Sequence, residues 1–268
     1  ASYGHLFTRV QEIKTHKNPD ILFIGSSHSY RGFDPRVFSK MGYTTFNLGS
    51  SSQSPINSKA LLHQYLTEIN PKFVVYEICG ETLETDGVES SLDLLSNNKI
   101  DENAFEMAIS LNNIRTYNTL IYNYLRQKIG FNKFVSEPKK QNGNQYISGG
   151  YVESKYSKNP LHEEKKGKWN LIEKEIDILK ENISFLKKNK IPFILVQTPI
   201  SKKMYESKTN NKETEMLLSK LGKFKNFQGE IPLNDTIDFY DSNHLNQEAV
   251  VKFNLKFIDY LKSQNIKF

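Results

Sequence analysis

Cysteine is almost absent from this 268-residue sequence: Cys79 stands alone, so no disulfide can form within the chain. It lies in the apolar run from Phe73 to Cys79, where a buried, inert thiol is expected. No apolar run approaches the ~20 residues needed to cross a bilayer, and no charged-then-apolar leader pattern is present. The first apolar run is followed by neither Gly-x-Gly-x-x-Gly nor a Walker lysine, which leaves nucleotide cofactors without a handle. Cysteine clusters, a His-Glu-x-x-His helix and calcium-loop spacing are also missing. The sequence therefore predicts no cofactor and no metal.

What is present is ordinary globular material. With 37% hydrophobic, 12% aromatic and 25% charged residues, collagen-like, disordered and disulfide-stapled classes are excluded. The length suits one large α/β domain over 1–268, since compact domains usually run to about 100 to 200 residues. The net charge is +6, and much of the lysine alternates with Glu163, Glu164, Glu173, Glu175 and Glu181, as on a solvated helix face. That is a poor footprint for nucleic-acid binding, which is not expected.

Three short apolar runs, Ile21 to Ile24, Phe73 to Ile78 and Pro192 to Gln197, are rich in β-branched and aromatic residues and bounded by turn formers, as buried strands are. Their continuous apolarity predicts a parallel sheet covered on both faces. Thr44 to Leu48 and Thr236 to Tyr240 would complete five strands. Helical stripes lie between them: Leu61, Tyr65 and Ile69; then Trp169, Ile172, Ile176, Leu179, Ile183 and Leu186; and finally Val250, Phe253, Phe257 and Leu261. Alternation of strand and helix predicts a doubly wound sheet with its ligand site at the carboxyl ends of the strands. The stretch 83–165 is too long for a connection and reads as an insertion. Within it Met107, Leu111, Ile114, Tyr117, Ile121 and Tyr124 form one helical stripe, whereas Pro138 to Gly150 reads as a mobile loop. Its tyrosines (Tyr117, Tyr122, Tyr124, Tyr146, Tyr151, Tyr156) are expected to pack, with a substrate-facing lid as the alternative.

The first strand runs into Gly25-Ser26-Ser27-His28-Ser29-Tyr30-Arg31-Gly32, a small polar turn that opens a helix. Amides at such a turn stabilise nearby negative charge, which suits a nucleophilic serine. Serine is weak without a base. Asp241-Ser242-Asn243-His244-Leu245-Asn246 offers one: an aspartate three residues before a histidine can accept its Nδ1 proton and leave Nε2 free. If the first and last strands end on the same side, His244 meets Ser27 in a Ser-His-Asp relay. The plain alternatives are that Ser26, Ser27 and Ser29 only cap a helix and that Asp241 caps the last one. His28, beside the nucleophile, is a candidate substrate contact. Arg31 could attract an anionic or carbonyl-bearing substrate or simply pair with Asp34. His5, His16, His63 and His162 show no partner spacing and read as surface groups.

Ile24-Gly25-Ser26-Ser27-His28-Ser29, Asn47-Leu48-Gly49-Ser50 and Asp241-Ser242-Asn243-His244-Leu245-Asn246 resemble, in order and spacing, the first, second and last sequence blocks of the SGNH (GDSL-type) hydrolase superfamily. The resemblance implies a three-layer α/β/α flavodoxin-like sandwich with a five-stranded parallel sheet, interrupted here by a helical insertion. It also implies Ser27 as nucleophile, Asp241 and His244 as its partners, and the amides of Ser27 and Gly49 as oxyanion donors. The family's third block usually supplies an asparagine in a Gly-x-Asn-Asp run. Here the counterpart is Cys79-Gly80-Glu81-Thr82, with Thr82 where that donor is expected and a carboxylate beside it. Losing such a donor typically costs about 100 to 1000-fold in rate, unless Gln53, Thr82 or an insertion residue takes its place.

The expected function is a serine esterase or O-acyltransferase acting through a Ser-His-Asp triad and an acyl-enzyme on an acyl ester of a carbohydrate, an acetyl ester first, with a small-molecule or polysaccharide ester as substrate. Its turnover should fall as His244 gains a proton, near pH 6.5 unless Asp241 shifts that value upward. The Gly-Ser-Ser-His-Ser form with a helical insertion resembles a bacterial cell-envelope branch. That implies an extracytoplasmic setting, periplasm or cell surface, with a membrane tether outside this chain, which begins at Ala1. The rival is a catalytically silent relative that binds a surface glycan or an envelope partner through the same cleft.

Overall fold

The structure, a computed structural model, describes residues 2–131, 135–156 and 164–266. Its strands, in chain order, are β1 (Ile21–Ile24), β2 (Thr45–Asn47), β3 (Phe73–Glu77), β4 (Lys140–Gln141), β5 (Asn144–Ile147), β6 (Tyr151–Ser154), β7 (Phe193–Gln197) and β8 (Phe224–Asn226). Five of them form a parallel central sheet in the order β2-β1-β3-β7-β8. Counting only these strands, the order is 2-1-3-4-5, the flavodoxin-like winding, and it reverses direction between β1 and β3. A crevice opens at the carboxyl ends of those two strands, because the connections leaving them turn to opposite sides.

Side chains alternate along each strand, so the two faces take different residues. Leu22, Ile24, Val74 and Tyr76 pack under helices Pro55–Ile69 and Glu173–Lys188, with Leu61, Ile69, Leu179, Ile183 and Leu186 facing them. Ile21, Phe23, Val75, Ile194 and Val196 face helix Gln247–Ser263 through Val250, Phe253, Phe257 and Leu261. Aromatic rings fill that second layer, with Phe23 stacked on Phe33 at 4.2 Å between centroids. Both faces are covered, as a parallel sheet requires.

The fifth strand is not where the apolar pattern put it. Phe224–Asn226 pairs with β7, while Thr236 to Tyr240 forms turns and contributes a single bridge, Phe239 to Leu245. An edge strand that is only half-buried needs no continuous apolar run. The rival segment is held in a turn by Asn234, whose side chain accepts from the Thr236 amide and hydroxyl. The stripe from Trp169 is also shortened: the helix begins at Glu173 with Ile172 as its N-cap. Trp169 lies before it, and its indole donates to Asn211.

Stretch 83–165 carries structure of its own, differently divided from the sequence pattern. Met107 to Tyr124 is two helices, Glu102–Leu111 and Ile114–Lys128, broken where Asn112 turns left-handed and Asn113 caps the second helix by accepting from the Arg115 amide. Pro138 to Gly150 is no loose loop: β4, β5 and β6 make a small antiparallel sheet. Tyr146 and Tyr151 are buried, whereas Tyr122 and Tyr156 are exposed.

Candidate active site

The turn after β1 is fixed from beneath. Gly25 has φ +148°, and a Cβ there would come within 2.7 Å of Glu77, so glycine alone fits. Glu77, the last residue of β3, is buried and accepts from both the amide and the hydroxyl of Ser26 at 2.8 Å. Its Oε1 has no hydrogen-bond partner among the described residues, and burial raises its pKa. Ser26 in turn caps helix Ser27–Gly32 by accepting from the His28 amide. Ser29 donates to Asn47. Two of the three serines are thereby structural, and Ser27 is left facing the cleft.

Across the cleft His244 meets it. Nε2 of His244 lies 2.7 Å from Ser27 Oγ, and its Nδ1 lies 2.8 Å from Asp241 Oδ2. Asp241 Oδ1 also accepts from the amides of Asn243 and His244, which locks the loop that carries the imidazole. Burial works to raise the Asp241 carboxyl, but the hydrogen bond and charge of His244, with the amides of Asn243 and His244, together outweigh it and hold the group below its ordinary pKa. Burial also pushes His244 below its ordinary value, opposed by the hydrogen bond to Asp241 and aided by the charge of His28.

His28 does not point away from its neighbour's chemistry. Its ring stacks on that of His244 at 5.0 Å, inclined by 21°, and Tyr240 stacks on His244 as well, at 5.5 Å. Nε2 of His28 reaches Glu81 Oε2 at 3.4 Å, and Glu81 accepts two further contacts from the Asn243 side-chain amide. Burial opposes charging of His28, yet Glu81 first, with Glu77 and Asp241 behind it, carries its pKa above the ordinary value. The carboxylate that stands beside the missing asparagine thus binds a histidine and the block of His244.

The remaining predicted site residues fare differently. Gly49 lies against the nucleophile turn, where an added Cβ would sit 2.9 Å from the Ser26 carbonyl, but its amide donates to Asn47 Oδ1 at 2.8 Å. Thr82 Oγ1 accepts from the Cys79 amide and donates to the Cys79 carbonyl, so its hydroxyl caps its own helix. Gln53 is buried between Ser50 and Ser58; its amide serves the fold of that loop. The Ser27 amide has no acceptor among the described residues. Arg31 does not pair with Asp34, which binds Arg36 instead; it donates to Asn144 of the small sheet and lies over the rings of Tyr30 and Tyr240. With His28, Thr198, Asn243 and His244 it lines the cleft. A larger hollow between helices Pro55–Ile69, Glu102–Leu111 and Glu173–Lys188 shares no residue with it.

Sequence reasoning missed Arg9 and misplaced His5. Arg9 is fully buried and donates to the carbonyls of Gly4, Gly49 and Gly150 at 2.8 to 2.9 Å, tying the second block to the small sheet. His5 is buried as well, and His63 stacks on Phe185; His162 lies outside the described residues. Nothing in the local pattern marks Arg9. Glu77 did carry a signal, as a carboxylate ending an otherwise apolar strand. Among the described residues no group of three His, Cys, Asp or Glu side chains could hold a metal ion.

Blocks separated by some two hundred residues meet at the crevice of a 2-1-3-4-5 sheet. No protein-family profile matches the chain, and no curated protein matches it. Among solved structures the chain is similar to a Bacteroides fragilis protein provisionally assigned as an acylhydrolase, at 13% identity and a TM-score of 0.46 over 98% of this chain and 99% of that one. It is similar to a GDSL-like lipase from Bacteroides thetaiotaomicron, at 13% identity and a TM-score of 0.43 over 96% and 98% of the two chains. A gut microbial diltiazem-metabolizing enzyme aligns at 13% identity and a TM-score of 0.30, over 90% of this chain and 47% of that one.

Proposed function

We propose that this protein is a serine esterase of the SGNH type, with Ser27 as nucleophile, His244 as general base and Asp241 as the group that orients it. The observation that carries this reading is the 2.7 Å contact between Ser27 Oγ and His244 Nε2, backed by the 2.8 Å contact of Nδ1 with Asp241. His244 takes the hydroxyl proton as Ser27 Oγ attacks the acyl carbon, and Asp241 stabilises the imidazolium that results. The Ser27 amide faces the developing oxyanion; the Gly49 amide joins it on exchanging Asn47 for the substrate oxygen. The imidazolium then protonates the departing alkoxide, leaving an acyl-serine and a neutral His244. Water, or the hydroxyl of an acceptor sugar, gives up its proton to His244 as its oxygen attacks the acyl carbon, and the imidazolium returns that proton to Ser27 Oγ as the acyl–serine bond breaks and the acyl product leaves.

Within that class we propose an O-acetylated carbohydrate as substrate and an extracytoplasmic setting, on the resemblance of Gly25 to Ser29 and the helical insertion to the cell-envelope branch. A silent, glycan-binding role is supported by a different observation: the Gly49 amide and the Thr82 hydroxyl are both satisfied inside the chain. Turnover of p-nitrophenyl acetate and acetylated xylan separates the two. Ser27→Ala is expected to lower kcat/KM by about 1000-fold or more and to abolish labelling by a fluorophosphonate. Equal, slow rates for wild type and variant, with no label on Ser27, would leave the binding role standing.

A further inference from the structure

Helix Ile114–Lys128 is built inside out. Its inward residues are Thr116, Leu120 and Asn123, and the Thr116 hydroxyl shares a hydrogen bond with that of Ser91. Its outward stripe is apolar: Ile114, Ile121, Tyr122 and Leu125, followed by Ile129, are each at least 57% exposed. These positions fall within one side of the helix at 100° per residue, the reverse of an ordinary surface helix. The preceding helix adds Ile109, 64% exposed. A contiguous exposed apolar surface of this kind marks an interaction site.

Charge narrows the occupant. From Met107 to Phe131 there is no aspartate or glutamate, while Arg115, Arg126 and Lys128 flank the stripe. A second copy meeting this face through a two-fold axis would set these cations against one another, with no carboxylate on the segment to pair them. A surface of lipid phosphates fits the same pattern: isoleucine and leucine enter the acyl boundary, the tyrosine ring sits at headgroup depth, and the long basic side chains reach the phosphates. No described helix is long and apolar enough to cross a membrane, and this one, 15 residues or about 22 Å, would lie flat. We propose that helix Ile114–Lys128 is a docking face for an anionic lipid surface.

The test is flotation of the full chain with phosphatidylcholine vesicles, with and without about a third phosphatidylglycerol, at low ionic strength. Binding is expected to the anionic vesicles and to weaken as salt is raised. The double variant Ile121→Glu/Leu125→Glu should lose at least about tenfold in partitioning while keeping the wild-type melting temperature, since both side chains are exposed. Arg115→Gln/Arg126→Gln/Lys128→Gln should abolish the preference for anionic vesicles. In Tyr122→Trp the indole emission should shift to the blue on vesicle addition. Failure of wild type to float with anionic vesicles, or flotation indifferent to the glutamates, overturns the proposal. So does a dimer by light scattering that the glutamates dissociate while vesicles remain unbound, which would make the face a self-association surface.

Discussion

His28 follows Ser27 directly, yet both side chains reach the same imidazole, one by a hydrogen bond and the other by stacking. Burial is the larger influence on His244 and disfavours its charged form. A protonated His28, held by Glu81, acts in the same direction by disfavouring a second positive charge beside it. The sequence placed the fall near 6.5 unless Asp241 moved it upward; Asp241 does push His244 up, but burial outweighs it and the pKa falls below the ordinary 6.5. Only neutral His244 can accept the Ser27 proton, so kcat/KM should hold as pH drops through 6.5 and decline only at lower values. Replacing His28 by glutamine removes a cation and leaves Glu81, so the acidic limb should move up, by about half a unit to one unit. A pH profile of p-nitrophenyl acetate hydrolysis between about 4.5 and 8 checks both statements, and an unmoved limb would remove the electrostatic link. The candidate triad residues were legible because each stands in a local motif. Glu81 and Asn243 were not legible as partners, since they lie 162 positions apart and nothing local pairs them.

The turn after β1 works as a unit because strand, glycine and carboxylate are fitted to one another. Ala at position 25 would have to adopt φ +148° and place its methyl 2.7 Å from Glu77. The strained conformation alone costs about 1 to 3 kcal/mol. Gly25→Ala should therefore lower the urea midpoint clearly, whereas Gly167→Ala, with nothing within 4 Å of its added Cβ, should stay within about 0.5 kcal/mol of wild type. Equal midpoints would show that the turn relaxes without cost. Elements with a strong period or full burial, β1, β3, β7 and helices Pro55–Ile69 and Gln247–Ser263, could be read from the sequence. β8 could not, because an edge strand gains its pairing from β7 and not from its own pattern. The hairpins β4 to β6 were hidden by polar residues at Pro138 to Gly150; Gly150 meets Asn47 so closely that a Cβ would lie 2.4 Å from its carbonyl.

Two buried carboxyls far apart in sequence, Asp93 and Glu175, are both pushed up to about 7 by burial. Glu175 joins helix Glu173–Lys188 to helix Pro55–Ile69 by accepting from the Ile56 amide at 3.0 Å. The folded protein holds its proton between the ordinary value of 4.5 and about 7, where the unfolded chain has released it. The stability this provides is complete below 4.5 and is lost as pH rises through about 7, a contribution on the order of 3 kcal/mol. Unfolding free energy measured in urea at about pH 5 and pH 8 should fall less for Glu175→Gln than for wild type, by about 2 kcal/mol. An identical fall would mean that Glu175 ionises normally in the folded state. For the molecule as a whole, the α/β class, the parallel sheet and the candidate nucleophile, base and acid were already written in the order of residues, because strand apolarity, helical period and short motifs are local properties. Folding alone settles that Ser27 and His244 touch, that Arg9 anchors three loops, that Thr82 caps instead of facing the cleft, and that one helix turns its apolar side outward. Each of those depends on which distant segments the fold brings within a few ångströms, and no local pattern encodes that.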